Sequence, residues 1–210
     1  MTGPRPRATR RPRVTIVDYG SGNLRSVQKA FEHLGAAATI TGDPTVVAAA
    51  ERLVLPGVGA FGDAMRELHR RDLVTPIIAH VHADRPFFGI CMGLQLLFET
   101  GLEGGRHDGL GLLAGEVVRF DLPAGLKVPH MGWNTVRWRD AATAGGDDWY
   151  YFVHSYHAQP SDGGVVAAVT DYGGEFVSAV SRGRLFATQF HPEKSQATGL
   201  GLLASFVGRG

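Results

Sequence analysis

Two rhythms of apolar and polar positions follow one another through the first half of the chain: short β-branched runs, and longer stretches with helical spacing. Val14 to Asp18 reads as a strand, Ser26 to Leu34 as a helix and Ala37 to Ile40 as a strand. Asp43 before Pro44 is an N-cap and first-turn signal for a helix reaching about Ala50. Arg52 to Leu55 is the next strand, helical spacing runs from Ala60 to Arg71 and from Thr75 to Ala83, and Pro86 to Ile90 is again a strand. This βαβ succession predicts an α/β fold: a mostly parallel, twisted sheet flanked by helices, with a site at the carboxyl ends of its strands.

After Glu99 the pattern changes. Thr100 to Gly111 is a glycine-rich loop, followed by β-like runs at Gly115 to Phe120, Asn134 to Arg139, Trp149 to Val153, Val165 to Thr170, Phe176 to Ser181 and Leu185 to Phe190. A closing helix is expected from about Gly199 to Val207. The second half thus predicts an additional antiparallel β region within the same unit, residues 14–210, with no internal repeat and no separating linker.

The 210 residues suffice to bury roughly 70% or more of the unfolded surface. A single cysteine rules out an intramolecular disulfide framework. With no apolar stretch of membrane-spanning length or signal-peptide placement, a soluble protein of the reducing cytoplasm is expected. Of the 21 Lys and Arg, five (Arg5, Arg7, Arg10, Arg11 and Arg13) share the start with Pro4, Pro6 and Pro12, leaving 16 against 20 acidic residues elsewhere. Residues 1–13 therefore read as a disordered tail. The mildly acidic body and the lack of interleaved aromatics argue against nucleic acid as a partner.

Candidate chemistry starts at the one cysteine. Cys91 sits where a strand pattern meets a helical one, with Gly89 and Gly93 on either side. Such glycines permit the sharp turn that exposes a nucleophile, and a following helix would offer N–H groups and a positive dipole end to a thiolate. A buried, inert thiol is the competing reading. Among nine histidines, His191 stands out because Glu193 follows two residues later, on the same face of an extended segment, where it can orient the imidazole. By itself this is also an ordinary strand end. The backbone N–H of Met92 and the loop Pro56 to Gly59, through Gly57 and Val58, are candidate oxyanion donors. His154 and His157 lack companion ligands, so no metal site and no cofactor is expected.

Taken together, these residues resemble the class I (triad) glutamine amidotransferases, and within them the glutaminase subunits of imidazole glycerol phosphate synthase. The resemblance runs from Val14 onward through Asp18 to Asn23, Leu55 to Met65, Gly89 to Glu99, Val128 to Asn134, Phe152 to Tyr156 and Ala187 to Ser195. It implies that Cys91 attacks the side-chain amide carbon of glutamine, that His191 shuttles the proton, and that Glu193 orients His191. It also implies substrate contacts by Gln95, Glu103, Ser155 and Tyr156. The chain is too short to include an acceptor domain and has no Walker-type phosphate loop. The expected partner is a (β/α)₈ barrel cyclase, met by Asn23, His130, Met131, Gly132, Trp133 and Lys194, which would use the ammonia in histidine biosynthesis. A further expectation is that the Val58 N–H turns toward the site only when the partner is liganded. The glutaminase of pyridoxal phosphate synthase is a rival, but it carries Gly, Gly, Glu, Ser where this chain has Pro56, Gly57, Val58, Gly59. A non-catalytic binding protein on the same fold is the rival from another class.

Overall fold

The computed structural model describes residues 11–140 and 148–208. The expected tail lies outside them up to residue 10, as does most of the expected loop from Ala141 to Asp148. The elements are β1 (Arg13–Val17), α1 (Leu24–His33), β2 (Ala37–Thr41), α2 (Pro44–Ala48), β3 (Leu53–Gly57), α3 (Phe61–Arg70), α4 (Val74–His82), β4 (Phe87–Cys91) and α5 (Met92–Gln95). There follow β5 (Phe98–Gly101), β6 (His107–Asp108), β7 (Leu113–Arg119), β8 (His130–Trp138), β9 (Asp148–His154), β10 (Tyr156–Pro160), β11 (Val166–Asp171), β12 (Glu175–Arg182), β13 (Leu185–Thr188) and α6 (Gln196–Gly208).

One sheet runs in the order β2-β1-β3-β4-β13-β12-β11-β8-β9. Pairing is parallel from β2 to β13 and antiparallel from β13 to β9. The expected antiparallel region is therefore a continuation of the parallel sheet, joined to it through β13. Period-two alternation sorts the strands' apolar side chains onto two faces. Val17, Leu53, Leu55 and Phe87 pack toward α3 and α4 with Leu68 and Ile77. Val14, Ile16, Val54 and Phe88 face α1 and α6, where Phe206 meets the Phe88 ring edge-on at 5.3 Å.

Three features depart from the sequence reading. The first strand starts at Arg13, which pairs with Ala37 and bonds Glu51, so the tail ends one residue sooner than expected. The glycine-rich segment contributes β5 and β6 to a second, four-stranded sheet, β10-β7-β5-β6. β10 was not expected at all, because Pro160 and the uneven polarity of Tyr156 to Gln159 hide its alternation.

Several histidines are held neutral by the core. Burial pushes His80 down to about 4, partly countered by the bond its ring donates to the Pro86 carbonyl. Burial likewise lowers His130 to about 4 and His154 to about 3. The unfolded chain, whose histidines titrate near about 6.5, takes up protons that the fold refuses. Stability should therefore fall as pH drops below about 6.5 and level off below about 3. Calorimetric Tm values from about pH 7 to pH 4.5 test this, and a His130→Phe variant, which keeps the ring stacked on Tyr172, should show a shallower fall. A Tm constant over that range would refute it.

Candidate active site

β4 delivers Cys91 to the carboxyl edge of the sheet, where the chain reverses into α5. The residue adopts φ 54° and ψ −103°, a conformation uncommon for any side chain other than glycine and one that costs on the order of 1–3 kcal/mol. Both neighbouring glycines are needed for this turn. A Cβ at Gly93 would stand 1.7 Å from the Leu55 carbonyl oxygen, and one at Gly89 would stand 2.7 Å from the Gly93 carbonyl oxygen. The helix beyond the turn is shorter than expected. α5 has four residues, and Leu97 already belongs to the link into the second sheet, accepting bonds from Leu112 and Leu113. One turn of helix carries little aligned dipole and can contribute little to an anion at this turn.

β13 lies alongside β4, with Ala187 opposite Gly89 and Thr188 opposite Ile90, so the chain beyond β13 rises next to Cys91. His191 emerges there, and its Nδ1 bonds Glu193 Oε1 at 2.9 Å, with both side chains almost fully buried. The backbone of this corner is fixed independently. His191 N–H donates to the Tyr151 carbonyl at 2.9 Å, while the Ser195 hydroxyl donates to the His191 carbonyl and accepts from Tyr151 N–H. Ser195 was not singled out in the sequence, because a buried serine after a turn gives no signal of its own. Burial alone would push the imidazole down. The negative sulfur of Cys91 and the Glu193 carboxylate outweigh it and raise His191 to about 10. Among the described residues His191 Nε2 has no oxygen or nitrogen partner, which leaves it for the Cys91 sulfur or a substrate.

A cavity of about 290 Å³ opens at Cys91 and is lined by Val58, Gly59, Met92, Gln95, Glu103, Ser155 and Tyr156, with His154 among the remaining walls. The structure thus brings the expected substrate residues to one space. Gln95 Nε2 donates to the Tyr156 carbonyl at 2.9 Å and to Gln189 Oε1 at 3.1 Å. Both of its amide hydrogens are engaged, which leaves only the Gln95 oxygen to accept a further bond. Glu103 reaches the cavity while one oxygen accepts the Phe61 N–H at 2.8 Å, capping the start of α3 from a distance.

Of the candidate oxyanion groups, Val58 and Met92 line the cavity. Gly57 is directly across from Cys91 in the β3–β4 pairing, and a Cβ there would sit 1.9 Å from the Tyr19 hydroxyl. Met92 opens α5, so its N–H has no acceptor within the helix. Val58 is exposed, and its carbonyl accepts from the Ser21 hydroxyl at 2.6 Å.

Of the residues expected at a partner surface, Met131 and Trp133 are 62% and 44% exposed, and Asn23 and Lys194 also lie at the surface. Trp133 meets Tyr151 at 6.2 Å between ring centroids, and Lys194 Nζ stands 5.8 Å from the Tyr151 ring. Gly132, at φ 137°, lets the strand bend between them. His130 is a correction. It is 3% exposed and stacks on Tyr172 and Phe152, because β8 begins at His130 and alternation puts that ring on the face of Val136 and Trp138. Trp149, 56% exposed across from Thr135, extends the outward face and was not anticipated. His154 and His157 pack on Phe120, and among the described residues no group of three or more metal-binding side chains converges.

Comparison with known proteins agrees with this geometry. The family model "Glutamine amidotransferase class-I" matches residues 15–207. The chain is 60% identical over 197 residues to "Imidazole glycerol phosphate synthase subunit HisH" of Rhodopirellula baltica, covering 92% of this chain and 96% of that one. It is 54% identical to the subunit of the same name from Syntrophotalea carbinolica, covering 92% and 98%. Among solved structures, PurLQS from Thermotoga maritima superposes with a TM-score of 0.75 at 20% identity, covering 95% of this chain and 99% of that one, a likeness of fold. A sulfur on a strained turn beside a buried imidazole–carboxylate pair, within a sequence that follows these relatives from end to end of the described sheet, leads to one assignment: the chain belongs to the class-I glutamine amidotransferase family, in its imidazole glycerol phosphate synthase HisH branch.

Proposed function

We propose that this chain hydrolyses glutamine to glutamate and ammonia and supplies the ammonia to a (β/α)₈ barrel cyclase in the cytoplasm, in the step of histidine biosynthesis named for its relatives. The observation that carries the reading is Cys91, at φ 54° on the cavity wall, interacting with His191, whose ring bonds Glu193 at 2.9 Å. In the mechanism, the Cys91 thiolate attacks the side-chain amide carbon of glutamine, and the oxyanion is met by the Met92 N–H and an N–H of the Gly57–Val58 loop. His191, charged at neutral pH, gives its Nε2 proton to the amide nitrogen as the C–N bond breaks, releasing ammonia and leaving a thioester. His191 then takes a proton from water as its oxygen attacks the thioester carbon; glutamate leaves, and the imidazolium–thiolate pair is restored.

The partner surface in this reading is the outward face of β8 and β9, carrying Met131, Trp133 and Trp149. It is tied to the chemistry through the backbone of β9. The Tyr151 carbonyl accepts the His191 N–H, and the Val153 carbonyl stands 4.0 Å from Cys91 Sγ. Pressure on that face therefore has a short route to the triad. The Val58 loop is a second point of control, since the Ser21 hydroxyl ties its carbonyl one peptide beyond the N–H that must face the oxyanion.

Glutamate release from glutamine, measured for the chain alone and with the barrel cyclase plus its nucleotide ligand, tests the reading. A low rate alone that rises by orders of magnitude in the liganded complex is the expected result. Brisk turnover by the chain alone would retain the triad and remove the gating, and silence in both, with the complex formed, would overturn the glutaminase.

A further inference from the structure

Gln189 has no role in the mechanism above, yet it is fully buried beside the sulfur. Its Nε2 lies 3.6 Å from Cys91 Sγ, and its Oε1 receives the Gln95 amide at 3.1 Å. A carboxamide can in principle face either way, and here one main-chain atom decides. The Tyr156 carbonyl oxygen can only accept, so Gln95 must turn its nitrogen toward it. The second Gln95 hydrogen then needs an acceptor, which obliges Gln189 to present its oxygen there. Because the group is planar, its NH₂ is left facing the sulfur. His154 Nδ1, donating to the same Tyr156 oxygen at 2.9 Å, fills the other lone pair and keeps that carbonyl in place.

The geometry points to Gln189 as the hydrogen-bond donor that holds the Cys91 thiolate in its attacking position, with the direction of that bond set by the Tyr156 carbonyl through Gln95. This rests on the reading of Cys91 as the nucleophile. A neutral thiol can turn its S–H toward the Val153 carbonyl, though at 4.0 Å the contact is weak. A thiolate has no hydrogen to give and needs donors, so a fixed N–H favours the anion over the thiol. Gln189 is itself firmly seated, its backbone N–H donating to the Ser178 carbonyl at 2.9 Å. Without this donor, and with only one turn of helix behind it, the sulfur would depend on His191 alone.

The test is the rate of Cys91 alkylation by iodoacetamide as a function of pH, read by intact mass on the full chain. The reagent needs a reactive thiolate but no glutamine site. The titratable groups around the sulfur are His191 with Glu193 behind it, Tyr19 beyond β1, and His154, Tyr156 and Glu103 on the cavity lining; the substitutions leave all of them in place. Gln189→Met keeps the length and removes the donor. Alkylation near neutral pH should slow about ten-fold, the size expected of one hydrogen bond to a charged group, and the profile should move to higher pH while reaching the wild-type plateau. Gln189→Glu, which keeps the acceptor for Gln95 but sets a carboxylate against the sulfur, should move it further. Gln95→Leu, which frees Gln189 to rotate, should move it in the same direction by less, and it carries the comparison if a substitution at position 189 prevents folding. Profiles that superimpose on the wild type, or a plateau that drops with no displacement, would overturn the role of Gln189. A wild-type chain inert to the reagent at every pH would overturn the nucleophile itself, which separates that failure from this one.

Discussion

The variant Cys91→Ala is expected to release no measurable glutamate from glutamine, a loss on the order of 10⁶-fold, while its complex with the cyclase still turns over with added ammonium. The size follows from what the substitution removes. The remaining site keeps the cavity, the Gln95 network and the His191–Glu193 bond, but among the described residues the hydroxyls and carboxylate left on the lining, Ser155, Tyr156 and Glu103, make no hydrogen bond to His191 that would activate them in place of the sulfur. The structure should survive. Alanine keeps the Cβ that the turn at φ 54° already accommodates, and losing one sulfur from a nearly buried position costs about 1–2 kcal/mol. Ammonium-dependent turnover bypasses the sulfur and shows that the cyclase is intact, while the variant's own Tm separates chemistry from folding. A variant that failed to fold would make Cys91 a structural residue, and retained glutaminase activity would remove it from the mechanism.

How far this site could be read in the sequence depended on the range of the interactions involved. The Cys91 turn was legible because its cause is local: Gly89 and Gly93 flank the sulfur, and the clash that a Cβ would suffer lies within the turn and the adjacent strand. The His191–Glu193 bond was legible for the same reason, being set by a two-residue spacing in extended chain. Gln189 was not. A glutamine after a strand reads as a polar strand end, and its orientation arises only when Gln95 and Tyr156, distant in sequence, are brought against it. The mixed sheet was half legible. Alternation located β11, β12 and β13, but the parallel pairing of β13 with β4, which carries His191 to Cys91, is a long-range choice with no local signature. His130 was assigned to the partner surface by resemblance alone, and the strand boundary decides otherwise: β8 begins at His130, not at the expected Asn134, so alternation puts the ring on the buried face with Val136 and Trp138.

Gly93→Ala is the substitution expected to damage the fold most for the fewest atoms added. The new Cβ would fall 1.7 Å from the Leu55 carbonyl oxygen and 2.9 Å from its carbon. Those are backbone atoms of β3, a strand buried along its whole length and paired on both sides, with β1 and β4. No rotamer change can relieve such a contact. Either β3 must shift or the Cys91 turn must open, and the cost should reach the upper end of overpacking, about 3 kcal/mol or more. For a chain of this size that lowers Tm by roughly 6–12 °C. Activity should be lost with it, because an opened turn moves the sulfur away from His191 even in the molecules that fold. Gly201, where nothing lies within 4 Å of a new Cβ and the helix continues on either side, provides the contrast. Gly201→Ala should raise Tm slightly, by about 0.5–1 kcal/mol of helix propensity, with glutamine turnover unchanged. Scanning calorimetry of the two variants side by side distinguishes a clash from a general intolerance of alanine. If Gly93→Ala melted with the wild type, the close approach of α5 to β3 would be wrong, and with it the reason this turn can hold a cysteine at positive φ.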